Sequence, residues 1–133
     1  MRVTLPIIGK GVVMESYTYI LYGDPTPLYM CNAIDRRMWD KNKEKKVIKQ
    51  IEIERQSKGK TFNEPISINV LFYVRNKKYK SYTPTLKSYI NFVEKIIYDT
   101  IIKKQGQIKA FNAEKKLSDA NPRTEIIITR ENI

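Results

Sequence analysis

Histidine is absent from the 133 residues, and cysteine occurs once, at Cys31. A single cysteine cannot form an internal disulfide, and a chain without histidine or a thiolate cluster cannot build a structural zinc site. Long apolar runs are also missing, because none approaches the roughly 20 residues that a membrane-spanning helix needs. The sequence therefore predicts a protein without a membrane span, which we expect in the cytoplasm.

Acidic residues are scarce relative to basic ones. The chain has 14 Asp plus Glu against 25 Lys plus Arg, a net charge of +11. A surface with this excess attracts an acidic polymer, nucleic acid above all. The alternative is a compositional bias toward lysine and isoleucine, so charge alone does not decide the function. The length is that of one domain.

The first half of the chain shows an extension, a strand and a helix. Residues 1–15, interrupted by Pro6, Gly9 and Gly11, make a poor signal peptide and are predicted to be a loose extension, so that the domain spans 16–133. β-branched and aromatic residues predict a strand over Tyr17–Tyr22, which ends at the breaker "GDPTP". From about residue 40 to 55 no proline or glycine occurs. Val47, Ile48 and Ile51 there form one apolar stripe, the pattern of an amphipathic helix.

The second half alternates strands with a second helix. "ISINVLFYV" at 66–74 has the period of two that indicates a half-buried strand, and the polar "RNKKYKSY" after it indicates an exposed basic loop. Thr85, behind Pro84, can cap a helix. The apolar residues of that helix recur every three or four positions at Leu86, Ile90, Val93, Ile97 and Ile101. "QGQIKAFNAEKKL" and "TEIIIT" predict two more strands, giving an α+β single domain with a mixed sheet and two main helices.

Four short blocks in the second half resemble one family. They are "PTLKS" at 84–88, "KKQGQI" at 103–108, "NAEK" at 112–115 and "PRTEI" at 122–126. In this order and spacing the chain is similar to the RusA-type Holliday junction resolvases, whose blocks read Pro-Asp-Leu-Asp-Asn, Lys-Asp-Asp-Ser-Gln-Ile, Asn-Ala-x-Lys and Pro-Arg-Thr-Glu-Ile. The resemblance covers most of the chain from Ser16 and is most specific from Tyr82 to Ile127. It implies a RusA-like fold, a homodimer and branched DNA as the ligand.

The resemblance also implies a degenerate active site. Members of the family are magnesium-dependent endonucleases that use two pairs of carboxylates, because Mg²⁺ prefers hard oxygen ligands. The first pair falls on Thr85 and Lys87 here, and the second falls on Lys104 and Gln105. A protonated lysine has three donors and no acceptor, so it cannot ligate Mg²⁺. We therefore predict no cofactor, no metal site and no cleavage in the manner of the family.

Two other functions stay open at this stage. Glu94 and Asp99 could support an active endonuclease with a relocated site, although five residues of helix separate their directions by about 140°. The fold could also serve as a scaffold for protein interactions, for which DNA affinity would be weak and insensitive to salt.

The favoured hypothesis is a branched-DNA binding protein that acts in recombination or repair without cutting DNA. Replacing acids by lysines removes negative charge from a DNA-binding surface and adds positive charge. Tyr79 and Tyr82 are candidates for stacking on bases. The predicted DNA-binding residues are Arg36, Arg37, Lys77, Lys78, Lys80, Lys87, Asn91, Lys95, Lys103 and Lys104.

Overall fold

The computed structural model describes residues 2–4, 13–27, 36–75, 85–98, 100–118 and 120–132. In chain order the elements are β1 (Arg2–Thr4), β2 (Val13–Tyr22), α1 (Arg36–Ser57), β3 (Ile66–Val74), α2 (Leu86–Ile97), β4 (Ile108–Leu117) and β5 (Arg123–Asn132). The predicted α+β class, with a mixed sheet and two main helices, is confirmed. The predicted extension over 1–15 contains β1 and the first residues of β2.

One sheet contains all five strands, in the order β1-β2-β5-β3-β4. β2 pairs antiparallel with β1 and β5, and β5 pairs antiparallel with β3. β3 and β4 run parallel. Because two parallel strands need a crossover connection, α2 passes from the end of β3 back to the start of β4. This crossover leaves β4 as an edge strand of the sheet.

One face of the sheet carries the core. On β3 the buried side chains are Ile66, Ile68, Val70, Phe72 and Val74. The period of two predicted for this strand is therefore confirmed. Tyr17 of β2 lies opposite Ile128 of β5 and continues the buried layer. Tyr89 of α2 stacks on Phe72 with ring centroids 5.3 Å apart, so α2 covers this face of the sheet.

α2 begins where the sequence predicts. Thr85 is the N-cap, and its hydroxyl accepts a hydrogen bond from the Ser88 backbone N–H at 3.2 Å. The helix ends at Ile97, earlier than the predicted apolar series, which continues to Ile101. The buried residues of the helix are Tyr89, Phe92, Val93, Ile96 and Ile97, whereas Leu86 and Ile90 are only partly buried. The buried face therefore keeps the predicted Val93 and Ile97 but also includes Tyr89, which packs on Phe72 of β3, and Phe92.

α1 is confirmed as a helix, but its apolar stripe faces solvent. Val47, Ile48 and Ile51 are 55%, 64% and 60% exposed. Ile53 and Ser57 are buried instead. The helix ends at Ser57 because Lys58 and Gly59 adopt positive φ angles of 53° and 82°, the left-handed conformation that commonly terminates helices.

Polar side chains attach α1 to the free edge of β2. Gln56 accepts a hydrogen bond from the Ile20 backbone N–H at 3.0 Å and donates one to the Ile20 carbonyl at 2.7 Å. Lys49 donates to the Tyr22 carbonyl at 2.9 Å. These contacts satisfy strand groups that β1 does not reach, since β1 pairs only with Ser16–Thr18.

Replacing Gln56 with alanine is expected to lower the free energy of unfolding by about 1–3 kcal/mol, because both backbone groups of Ile20 lose their partner. Urea titration measures the change. Gln50→Ala is the matched control, since Gln50 donates one exposed hydrogen bond, to the Lys95 carbonyl at 3.2 Å, and a smaller loss is expected. Equal effects for the two variants would contradict the role given to Gln56.

No helix within the described parts of the chain is both long enough and apolar enough to span a membrane.

Candidate nucleic-acid interface

The first turn of α2 holds the first pair of positions that the resemblance matches to catalytic acids. The Thr85 side chain caps the helix by accepting a hydrogen bond from the Ser88 backbone N–H. Its hydroxyl also lies 2.9 Å from the Ser88 hydroxyl. Lys87 is exposed, and the turn has no acidic residue. Acids are favoured near a helix N-terminus and lysine is not, because the helix dipole is positive there. Lys87 therefore stands where helix stability alone would favour a carboxylate.

The second pair of positions lies before β4. Lys103 and Lys104 are both exposed, and the Lys104 backbone N–H donates to the Gln107 side chain at 3.0 Å. Gln107 is buried and donates in turn to the carbonyls of Phe62 and Glu64. This buried amide fixes the turn that presents the two lysines. Gln105 belongs to the short 3₁₀ turn Gln105–Gln107, and its side chain lies outside the described part of the structure.

The fold places these two pairs at opposite ends of α2. The start of the helix lies beside Phe72, on which Tyr89 stacks, whereas Ile108, just after the lysine turn, is paired with Ile66. Phe72 and Ile66 are six residues apart on one strand, which corresponds to roughly 20 Å. Carboxylates restored at all four positions would therefore not converge on one ion within a single protomer.

The remaining predicted residues fall into two groups. On α2, Asn91 is half-buried and Lys95 is exposed, so the predicted polar stripe with Lys87 runs along the helix. Arg36 and Arg37 begin α1, where only the backbone is described. Lys77, Lys78 and Lys80, with Tyr79 and Tyr82, lie outside the described residues, as do Cys31 and Asp99.

Arginines in the described part of the chain neutralise the nearby acids. Arg55 pairs with Glu52, Arg75 with Asp24, Arg123 with Glu125, and Arg130 with both Glu15 and Glu64. Hydrogen bonds from Arg55 and Gln56 lower the pKa of Glu52 to about 2. Among the described side chains, the positive charge that forms no salt bridge with an acid is consequently carried by lysines. Among the described side chains, no acid forms a salt bridge with Lys87, Lys95, Lys103 or Lys104.

Three lysines of β4 were not singled out from the sequence. Lys109, Lys115 and Lys116 are exposed on this edge strand. Lysines commonly protect edge strands from pairing with another chain, which gives them a structural role that does not depend on DNA. Together with Lys87, Lys95, Lys103 and Lys104, they bring the number of lysines between residues 85 and 118 to seven.

A cleft of about 210 Å³ lies between the end of α2 and β4. Its lining residues are Glu94, Ile97, Tyr98, Ile102, Ile108 and Phe111. Tyr98 and Phe111 are half-buried, and Lys103 directly follows Ile102 of the lining. The cleft thus brings two aromatic side chains together, and the lysine turn follows one of its lining residues in the chain.

A polar cluster near the start of β3 was also missed. Arg130 donates to Glu64 at 2.7 Å, to Glu15 at 2.9 Å and to the Tyr17 hydroxyl at 2.9 Å. The Tyr17 hydroxyl donates to Glu15 at 2.7 Å. Burial acts to raise the pKa of Glu64, but the hydrogen bond and charge of Arg130, with backbone N–H groups, outweigh it and lower the pKa. Arg130 occupies both carboxylates, so the cluster supports the fold.

Within the described residues, no group of three or more acidic, histidine or cysteine side chains is placed to hold a metal ion. Comparison with protein-family models gives no match, and comparison with curated proteins gives none either. The resemblance to the RusA-type resolvases therefore stays a prediction.

Proposed function

We propose that this protein binds branched DNA, such as a four-way junction, and does not cleave it. The observation that supports the proposal is that the arginines and the lysines have different surroundings. Arginines are engaged with acids inside the fold, while lysines on α2 and before β4 are exposed and lack acidic partners among the described residues. Such a surface attracts phosphates and releases the counterions of DNA.

The same residues argue against nuclease chemistry. Hydrolysis assisted by Mg²⁺ needs oxygen ligands gathered around the ion. The positions matched to the catalytic acids hold a capping threonine, two lysines and a glutamine, and the fold separates the two pairs. Fixed lysines would instead supply the positive charge that Mg²⁺ supplies in an active enzyme.

The cleft supports a preference for DNA that exposes unpaired bases. Aromatic side chains bind bases by stacking without regard to sequence, while neighbouring lysines contact the phosphates. Tyr98 and Phe111 of the cleft are the candidates for this stacking contact, and Lys103, which follows Ile102 of the lining, is a candidate for the phosphate contact. Duplex DNA, whose bases remain stacked, would use only the lysines. The proposal includes a homodimer, a cytoplasmic location and a role in recombination or repair, all of which rest on the resemblance.

A gel assay tests the proposal directly. The purified protein is incubated with a labelled four-way junction or a matched duplex, with and without Mg²⁺, and both the shift and the products are scored. We expect a junction shift at a lower protein concentration than the duplex shift, and no nicking. Nicking that depends on Mg²⁺ would establish an active endonuclease, and the absence of any shift would favour a protein-interaction scaffold.

Replacing Phe111 with alanine tests the cleft. We expect affinity for single-stranded DNA to fall by about 1–3 kcal/mol per lost base stack, with duplex affinity unchanged. Fluorescence anisotropy with a labelled oligonucleotide measures both. Phe111→Tyr is the control, because it keeps a ring for stacking. An equal loss on single-stranded and duplex DNA would contradict a stacking role.

A further inference from the structure

The outward face of α1 is the largest unexplained apolar surface in the described structure. The exposed large apolar side chains there are Tyr22, Val47, Ile48, Ile51 and, elsewhere, Leu117. All of these except Leu117 lie on α1 or at the end of β2 beside it. A groove of about 450 Å³ adjoins the helix and is lined in part by Leu21, Tyr22, Ile48 and Ile51. Grouped apolar side chains on a protein surface mark an interaction site.

The face has an ordered pattern of residue types. Glu44, Ile48, Ile51 and Arg55 follow one another at spacings of four, three and four, so they share one stripe of the helix. Lys49 and Gln50, at the centre of this span, point the other way and hydrogen-bond to the Tyr22 and Lys95 carbonyls. The stripe therefore points away from the chain's own domain.

This stripe is complementary to itself when reversed. If a second α1 lies antiparallel across the point midway between Ile48 and Ile51, each isoleucine faces the other isoleucine of the second copy. Glu44 then faces the second copy's Arg55, and Arg55 faces its Glu44. A two-fold axis requires such reciprocal pairs, because each surface must complement itself.

We propose that the outward face of α1 is the interface of a two-fold symmetric homodimer, centred between Ile48 and Ile51. The proposal names a surface of the chain and does not depend on DNA binding. Arg55 retains donors for an intermolecular pair, since its bonds to Glu52 use Nε and Nη2 and leave Nη1 available.

The small area of this face predicts a weakly associating dimer. The 22 residues of α1 span roughly 33 Å, and a strip about 10–12 Å wide along it covers on the order of 350 Å² per protomer. A stable interface of standard size buries about 800 Å² per partner. The groove beside Tyr22 adds to the area, but the dimer is expected to dissociate on dilution, with a dissociation constant on the order of micromolar.

Sedimentation analysis of the whole chain over roughly 1–100 µM tests the interface. The mass is expected to rise from 15.7 kDa toward twice that value with concentration. Ile51→Glu should raise the dissociation constant at least about tenfold, because it places a charge at the centre of the contact. Leu117→Glu is the matched control and should leave it unchanged. A thermal melt of each variant verifies the fold, which should survive because Ile51 is exposed.

Charge reversal tests the two-fold geometry itself. Glu44→Arg or Arg55→Glu alone should weaken the dimer roughly 3- to 30-fold, because each change affects two symmetry-related pairs. The double variant Glu44→Arg/Arg55→Glu should restore it, and a mixture of the two single variants should form heterodimers. A monomer throughout the concentration range, or a dimer insensitive to Ile51→Glu, would overturn the proposal. Neither result decides whether the protein binds DNA, which the gel assay tests separately.

Discussion

Replacing Lys87, Lys95, Lys103 and Lys104 together with glutamine is expected to reduce junction affinity by about 10²- to 10³-fold at 0.15 M salt. Each lysine that neutralises a phosphate contributes about 0.9 to the slope of log affinity against log salt. Loss of all four should lower that slope by about 3.6. Fluorescence anisotropy with a labelled junction over a series of salt concentrations measures both quantities.

The control for this variant uses lysines elsewhere on the surface. Lys45, Lys46 and Lys58 belong to α1 or directly follow it, so replacing them with glutamine removes three positive charges, against four in the test variant, away from α2 and β4. We expect a much smaller loss of affinity from the control. Equal losses from the two sets would show that binding depends on net charge alone, and would contradict a defined interface.

Replacing Arg130 with leucine is expected to give the largest loss of stability among changes outside the apolar core. Arg130 connects β5 to Glu15 of β2 and to Glu64 before β3, and it bonds the Tyr17 hydroxyl. Removing one partner of a buried ion pair costs about 3–5 kcal/mol, and the one-fifth exposure of Arg130 reduces the expected loss to about 2–4 kcal/mol. Chemical denaturation measures it. Arg75→Leu, which breaks the solvent-exposed pair with Asp24, should leave the midpoint unchanged.

The same cluster predicts the pH dependence of folding. The pKa of Glu64 is lower in the folded protein than in the unfolded chain, so its ionised form stabilises the fold. This stabilisation is fully present above the unfolded pKa of about 4.3 and is lost as pH falls through the lower folded value. Denaturation between about pH 7 and pH 3 should therefore show a loss of stability below about pH 4 that Glu64→Gln diminishes. An identical profile for the variant would contradict the role of Glu64.

Local patterns predicted much of the fold. The alternation of Ile66 to Val74 fixed the buried face of β3, and Thr85 behind Pro84 fixed the start of α2, because both signals arise within a few neighbouring residues. The orientation of α1 was not predictable in this way. The spacing of Ile48 and Ile51 defines a helix face, but Gln56 and Lys49 attach the opposite, more polar face to β2.

Features built from distant residues could not be predicted. Glu15, Glu64 and Arg130 are far apart in the sequence and meet only because β2, β5 and β3 are neighbours in the sheet. The separation of Lys87 from Lys104 likewise depends on the direction of α2 across the sheet. The Tyr98 and Phe111 cleft forms only when β4 takes its place beside α2.

The most direct test of the central claim is a competition titration of the wild-type protein on a fluorescent four-way junction, with unlabelled junction or matched duplex as competitor. We predict that the junction competes at least about tenfold better, and that affinity falls steeply with salt, as expected for contacts to several phosphates. Equal competition by junction and duplex, or an affinity that does not change with salt, would contradict the assignment of this protein as a branched-DNA binder.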